Sequence, residues 1–390
     1  MPLLLVGLSA WIALTNTTAG DYYADAAPAV RALLHGEVSA YLSARPIMGP
    51  FATLVQVPFA AIGGSHLSEY QWATFPCLLA AGALGLYLAA LARRRGAGTA
   101  TQVLLPLLCL VNPLTVEAIR LGHPEEILTA ALAVGAVAVA SQGHGVRAAL
   151  LLGLAIASKQ WAVIAIFPTL MALPSRQLRT AIIAAAVVAV MMLPGLIAAP
   201  DSFFGVQGNA ASGGRIATIW SGWYAATPEV ALHLDAGGLT AHVHRLPAWV
   251  APLTHPLIVL LVLAVPLALW LRRGRFRLAA PEAMALLALL ALLRCVLDPL
   301  NNFYYHEPLL LALLGWDAFA SERLPLRGLL ATAVALFLWR WSEHLGDLQA
   351  FNAVYLVILI AAAIAIAARL PWRRSDRESR AATSIATAQA

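Results

Sequence analysis

Lysine is almost absent from this chain of 390 residues: Lys159 is the only one, and every other fixed cation is an arginine. Charge of either sign is scarce too, at 11% of residues, while 61% are hydrophobic and the mean hydropathy is +0.78. These values exclude an ordinary soluble domain and describe a polytopic membrane protein. The net charge of +6 then reports on orientation in the bilayer, and no nucleic-acid partner is expected. Only three cysteines occur, Cys77, Cys109 and Cys295, each inside an apolar segment, so no disulfide framework is implied. No Ser-centred or phosphate-loop motif is present to suggest acyl or phosphoryl transfer. A transporter-type internal repeat is not visible either.

Apolar runs suited to helices fall at 2–15, 46–62, 71–92, 101–118, 126–140, 148–158, 160–173, 180–199, 250–271, 281–297, 307–320, 328–341 and 350–369. The first, Pro2–Leu14, reads as a retained span because no basic segment precedes it. Basic clusters at Arg93-Arg94-Arg95, Arg147, Arg176/Arg179, Arg272/Arg277, Arg323/Arg327 and from Arg369 to Arg380 mark cytoplasmic loops. If both 46–62 and 71–92 crossed, the arginine triplet would fall on the outer side. The 46–62 segment is interrupted by Pro50, Pro58 and Gly63-Gly64 and carries Gln56. It falls short of the roughly twenty residues a span needs, so it lies along the outer interface.

The expected fold is therefore all-α, with about twelve transmembrane helices and both termini cytoplasmic. A single domain covers 1–370. A first outer loop at 16–70 holds two juxtamembrane helices, a second lies at 200–250, and 371–390 form a disordered cytoplasmic tail. The 148–158 and 160–173 segments reach only roughly 16 and 21 Å at 1.5 Å per residue. They form a hairpin stopping below the outer surface, with Lys159 at its apex inside a cavity. An ionisable residue at membrane depth is a functional candidate, and its partner should be anionic.

Three polar stretches on the outer side accompany Lys159. In Gly20–Gly36, a helix from about Ala26 to His35 ends at Gly36. Asp25 then serves as an N-cap, as a general base at the cavity mouth, or as both. Asp21 is the weaker base candidate and otherwise a solvated loop acid. Gly122-His123-Pro124-Glu125-Glu126 is either a turn with acids at a helix N-terminus or a rim that binds sugar hydroxyls or a divalent cation. The third runs from Arg294 to Glu307. There Arg294 either snorkels or meets an anion, and Asp298, Asn301, Tyr304, Tyr305 and His306 offer a sugar-like ligand hydrogen bonds. His233, His242, His244 and His255 are scattered over the second loop and its end and read as incidental. Trp220, Trp223 and Tyr224 make either an aromatic wall or interface anchors.

This layout resembles the GT-C superfamily of membrane glycosyltransferases, and in particular the actinobacterial polyprenyl-phosphomannose-dependent mannosyltransferases. The resemblance covers about 10–370. It rests on Asp21–Gly36 followed by Arg45-Pro46-Ile47-Met48-Gly49-Pro50, then on Gly122–Glu126, Ser158-Lys159-Gln160-Trp161 and Arg294–His306. Relatives often show Lys-Pro where this chain has Lys159-Gln160.

The resemblance implies a catalytic acid in the first outer loop, a role falling on Asp25 with Asp21 second. It implies a donor phosphate held by Lys159 and Arg294. His123, Glu125, Glu126, Asp298, Asn301, Tyr304, Tyr305 and His306 then line the substrate site, and no metal ligand set is expected. The implied activity is inverting transfer of a sugar, mannose first, from a polyprenyl-phosphate donor to a glycan or glycolipid hydroxyl at the outer face of the plasma membrane. No cofactor is required, although a divalent cation is compatible. The rival class is a polytopic transporter or lipid flippase for an envelope precursor, which also places charge in a midplane cavity.

Overall fold

The computed structural model describes residues 1–44, 48–201, 203–205, 215–234, 239–274, 276–320, 323–344 and 346–372. Arg45, Pro46 and Ile47 of the first-loop motif, parts of the 200–250 loop and the tail from 373 onward lie outside the described residues.

Helices dominate. Seven of them are long and apolar enough to cross a membrane: His66–Arg94, Thr99–Arg120, Pro124–Ser141, Gln177–Ala198, Ala251–Arg273, Ala280–Leu297 and Leu348–Arg369. Four shorter apolar helices, Pro2–Thr15, Pro50–Ala60, Gly145–Ser158 and Gln160–Ala172, accompany them. Charge parity in the sequence asks for about twelve crossings, whereas helix length alone supplies seven among the described residues. The expected 46–62 helix is Pro50–Ala60, too short to span, with Pro50 at its first turn where a missing N–H costs nothing. The 101–118 run is broken at Asn112, whose side chain caps Pro113–Arg120 through Leu114 and Thr115 N–H at 2.9 Å each.

The helix Pro124–Ser141 is central, with 83% of its apolar window buried, while Gln177–Ala198 is peripheral at 6%. The first is rich in Ala, which lets neighbours approach closely; the second turns large side chains such as Leu178, Ile182, Val190 and Ile197 outward, as lipid contact requires. Two large apolar cores result among the described residues, one around the central helix and Ala280–Leu297, the other between Pro2–Thr15, the first loop and His66–Arg94, with a small third cluster at Ala217, Leu246 and Ala251.

The chain also segregates its charged ends. Arg95 donates to the Phe319 carbonyl at 3.2 Å, and Gly98 lies against Arg323. Gly143 approaches Pro174 at 3.6 Å, and Leu278 N–H donates to Met171 O at 2.7 Å. The basic loops thus meet at one end of the bundle, and the acidic stretches meet at the other.

The Lys159 hairpin forms as expected. Gly145–Ser158 climbs to Lys159, which is extended at φ −149°, ψ 134°. The chain returns as a 3-10 turn, Gln160–Ala165, followed by an α-helix, Ile166–Ala172, and Leu173 regains Gly145 at the starting end. At about 2.0 Å rise per residue, the 3-10 segment reaches farther than α-helix would. Gly49 docks on this apex: its N–H donates to Ser158 O at 2.7 Å, and a Cβ there would fall 2.0 Å from Ala157 O.

Two local expectations need correction. Asp25 does not cap the helix after it. It ends a short helix, Tyr22–Asp25, and the next helix, Ala27–Leu34, begins after Ala26 with no side-chain cap. That helix does stop at Gly36, which has φ +74°. The fold is not purely helical either. The 200–250 loop holds an antiparallel sheet of Ile216–Ala217 (β1), Glu229–Leu234 (β2) and Leu239–Arg245 (β3) in the order β1-β3-β2. The alternating sequence Val230-Ala231-Leu232-His233-Leu234 pairs in register with Val243 back to Leu239.

Candidate functional site

Lys159 does not face open space. Its Nζ lies 3.0 Å from Glu125 Oε1 and 3.3 Å from Glu126 Oε1, and the lysine side chain is 10% exposed against 1% for each glutamate. Both acids occupy the first turn of Pro124–Ser141, where the helix dipole also favours negative charge. Trp161 Nε1 donates to Glu126 Oε2 at 2.7 Å. The sequence therefore brings an anionic partner to Lys159, as expected, but the partner in the structure is a pair of carboxylates.

His123 extends this cluster outward. Its Nδ1 is 3.1 Å from Glu125 Oε1 and its Nε2 is 3.4 Å from Asp21 Oδ2, while its ring stacks on Tyr304 at 5.1 Å. Burial disfavours the imidazolium, but the hydrogen bond and charge of Glu125 outweigh it, so the His123 pKa is raised. A backbone clamp sets the spacing: Asp21 N–H donates to Leu121 O at 2.9 Å. Gly122 allows it, at φ +90°, because a Cβ would lie 2.3 Å from Ala19 O and 2.5 Å from Tyr22 N.

Asp25 joins the same group. One ligand atom each from Asp21, Asp25 and His123 lies within 4.8 Å of the others, so these three residues could hold a divalent cation after small side-chain shifts. The Asp25 carboxyl is half-buried. Burial pushes its pKa up, with Asp21 and Glu125 adding to the rise against the opposing charges of His123 and Lys159.

Arg294 closes the inner wall. Its guanidinium lies 4.5 Å from the ring centroid of Tyr305 and 5.1 Å from that of Trp161. Nη2 is 4.0 Å from Asp298 Oδ2, at the edge of an ion pair, and Nη1 is buried with no hydrogen-bond partner among the described residues. Such an orphaned charged donor is costly unless something occupies the space beside it. Asp21, Asp25, Glu125, Glu126 and Asp298 set five carboxylates against two fixed cations, Lys159 and Arg294, before His123 is counted.

Of the expected substrate residues, His123, Glu125, Glu126, Asp298, Tyr304 and Tyr305 belong to this cluster. Asn301 and His306 do not. Asn301 Nδ2 donates to Trp220 O at 2.6 Å and Tyr355 OH at 3.2 Å. His306 spans Phe303 O at 2.7 Å and Tyr355 OH at 2.9 Å. Both are committed to fixing the 3-10 turn Phe303–His306 against the aromatic group of Trp220, Phe351 and Tyr355. Trp220 is thus core. Trp223 donates to Leu297 O at 2.6 Å. Among the loop histidines, His244 stacks on Tyr224 at 3.8 Å and contacts Thr227 O at 2.8 Å, an internal role.

Trp161, named in the sequence only as the end of the Ser158–Trp161 stretch and given no role there, is the site residue not expected. It touches both halves of the site, yet its only sequence signal is its place two residues after Lys159.

A model of glycosyltransferase family 87 matches residues 47–299, well over half of the chain. No curated protein and no solved structure matches it.

Proposed function

The chain belongs to glycosyltransferase family 87, and on that premise we propose that it moves a sugar, mannose first, from a polyprenyl-phosphate donor to a glycan or glycolipid hydroxyl. The observation that carries this reading is one polar cluster that holds a half-buried first-loop carboxylate, Asp25, beside His123 at its outer end, and a buried guanidinium, Arg294, at its inner end, whose Nη1 has no hydrogen-bond partner among the described residues. Asp25 removes the proton of the acceptor hydroxyl. The hydroxyl oxygen attacks the anomeric carbon from the face opposite the phosphate, which leaves with inversion. Arg294 receives the leaving charge in a low-dielectric setting, where a preorganised donor is worth most. The surplus of carboxylates suits the cationic character that the sugar ring gains in the transition state.

Two residues expected to share the phosphate differ in what they have to offer. Lys159 is already divided between Glu125 and Glu126, so Arg294 is the principal phosphate ligand and Lys159 keeps the glutamates in place. Arg294→Met is expected to raise the donor KM at least about tenfold, as for a lost charged hydrogen bond, with the acceptor KM unchanged. Arg294→Lys should not restore it, because lysine lacks the planar fork that stacks between Trp161 and Tyr305. Equal donor KM in all three proteins would remove Arg294 from the phosphate.

No cofactor is required in this mechanism. Transfer by the purified protein is expected to persist in EDTA; activity lost to EDTA and restored by Mn²⁺ would bring an ion on Asp21, Asp25 and His123 into the reaction.

The active site is assigned to the outer face of the plasma membrane, since the acidic stretches gather opposite the basic loops. The decisive experiment supplies purified protein with polyprenyl-phosphate mannose and arabinose plus envelope glycolipids, and reads products by mass spectrometry. A new glycosidic bond supports the proposal. Movement of the donor across vesicles without bond formation would support the flippase alternative instead.

A further inference from the structure

A polar hollow lies beside the first loop, and Lys159 is not in its lining. It is an open hollow of about 510 Å³, within the roughly 300–1,000 Å³ of small-molecule sites. Arg31, His35, His66 and Glu69 supply its polar groups, and Leu34 with Ala60 supply an apolar patch. These residues come from three elements, Ala27–Leu34 with its cap, Pro50–Ala60, and the start of His66–Arg94.

The polar groups hold one another in set orientations. Arg31 Nε donates to Glu69 Oε2 at 2.9 Å. Arg31 Nη2 lies 3.1 Å from His66 Nδ1. Arginine has no acceptor, so His66 Nδ1 must accept and its proton sits on Nε2. Tyr22 OH donates to the other Glu69 oxygen at 3.4 Å. Arg31 remains about a third exposed, so part of its fork faces the hollow. The Arg31 and Glu69 charges cancel, which leaves planar donors and acceptors over an apolar patch with no net charge. That combination suits an uncharged polyhydroxyl group and gives a phosphate no advantage.

The hollow is also tied to the reacting end. Tyr22 opens the short helix that Asp25 closes, so Glu69 anchors one end of the element carrying the proposed base. Arg31 lies six positions after Asp25, about 9 Å at helical rise. That is the length of one or two sugar units.

We propose that this hollow is the acceptor subsite, holding an uncharged glycan unit one or two residues removed from the hydroxyl that reacts. The proposal rests on the glycosyltransferase reading above. It is tested on the full-length purified protein, without donor, by saturation-transfer NMR with methyl α-mannoside, maltotriose, glucose 6-phosphate and inorganic phosphate as probes. Wild-type protein is expected to bind a neutral saccharide in the millimolar range, and Arg31→Met to weaken it at least about tenfold. His35→Ala, which breaks no ion pair, should weaken it as well and serves if Arg31→Met fails to fold.

Neutral saccharides that do not bind, that bind unchanged in both variants, or that bind more weakly than phosphate would overturn the subsite. Because no donor is present, a protein that binds saccharide but never transfers sugar fails the functional reading alone. One that transfers sugar but binds no saccharide fails the subsite alone.

Discussion

Asp25→Asn is expected to lower transfer by at least about a thousandfold, within the range for loss of a general base, while the protein still folds. The fold asks little of this side chain. It caps no helix, and among the described residues it makes no side-chain hydrogen bond. What the site asks of it is a proton, and burial raises its pKa to make it a stronger base than an exposed carboxylate. The pH profile of kcat/KM gives an independent readout. A base must be ionised to act, so activity is complete at pH values above the raised pKa. It is lost as pH falls through that value, which places the acid limb above the ordinary carboxylate range. Asp25→Asn should erase this limb along with the activity. Asp21→Asn removes a neighbouring negative charge, which should lower the Asp25 pKa and move the limb to lower pH at a modest cost in rate. One observation favours the reverse assignment: Asp21 is the carboxylate that His123 touches, and its side chain is 72% exposed to an incoming acceptor. If Asp21→Asn proves the more damaging change, Asp21 is the base and Asp25 its neighbour.

The parts of this site that the sequence announces are those that violate membrane composition. A single lysine between two apolar runs, two acids after a His-Pro, and an arginine near the end of a span are costly where they stand, and all three do converge, with Asp21 of the first loop beside them. The hairpin with Lys159 at its turn also forms, because segment length depends little on packing detail, whereas helix length supplies seven crossings among the described residues against the about twelve that charge parity asks for. Partner choice does not survive so well. Spacing could not tell that the 3-10 turn Phe303–His306 would send Tyr304 to His123 and His306 to Tyr355. Nor could it tell that the Asn301 amide nitrogen would donate to a backbone carbonyl 81 positions away. Trp161 was hidden because a tryptophan near a membrane surface is unremarkable in itself. The small sheet was hidden because its alternation is short and lies in a loop read for its histidines.

Lys159→Met is expected to destabilise the protein by about 3–5 kcal/mol, the usual cost of stranding a buried charge, and to abolish activity as a consequence. Among the described residues the lysine is the sole fixed cation in contact with Glu125 and Glu126, and each glutamate is 99% buried. Without it, two carboxylates remain side by side in an apolar surround, with Asp21 and Asp25 not far off. Proton uptake or local unfolding would follow, and either would displace His123, whose position depends on Glu125. The diagnostic variant is the charge-free triple change, Lys159→Met with Glu125→Gln and Glu126→Gln. Removing both signs together leaves no stranded ion, so thermal unfolding of the triple variant should return most of the way to wild type. Activity should not return with it, since the carboxylates that orient His123 and receive Trp161 are gone. The alternative has a distinct signature. If Lys159→Met unfolds at the wild-type temperature and raises only the donor KM, the lysine touches phosphate directly, and the glutamate pair is a resting arrangement that the donor displaces.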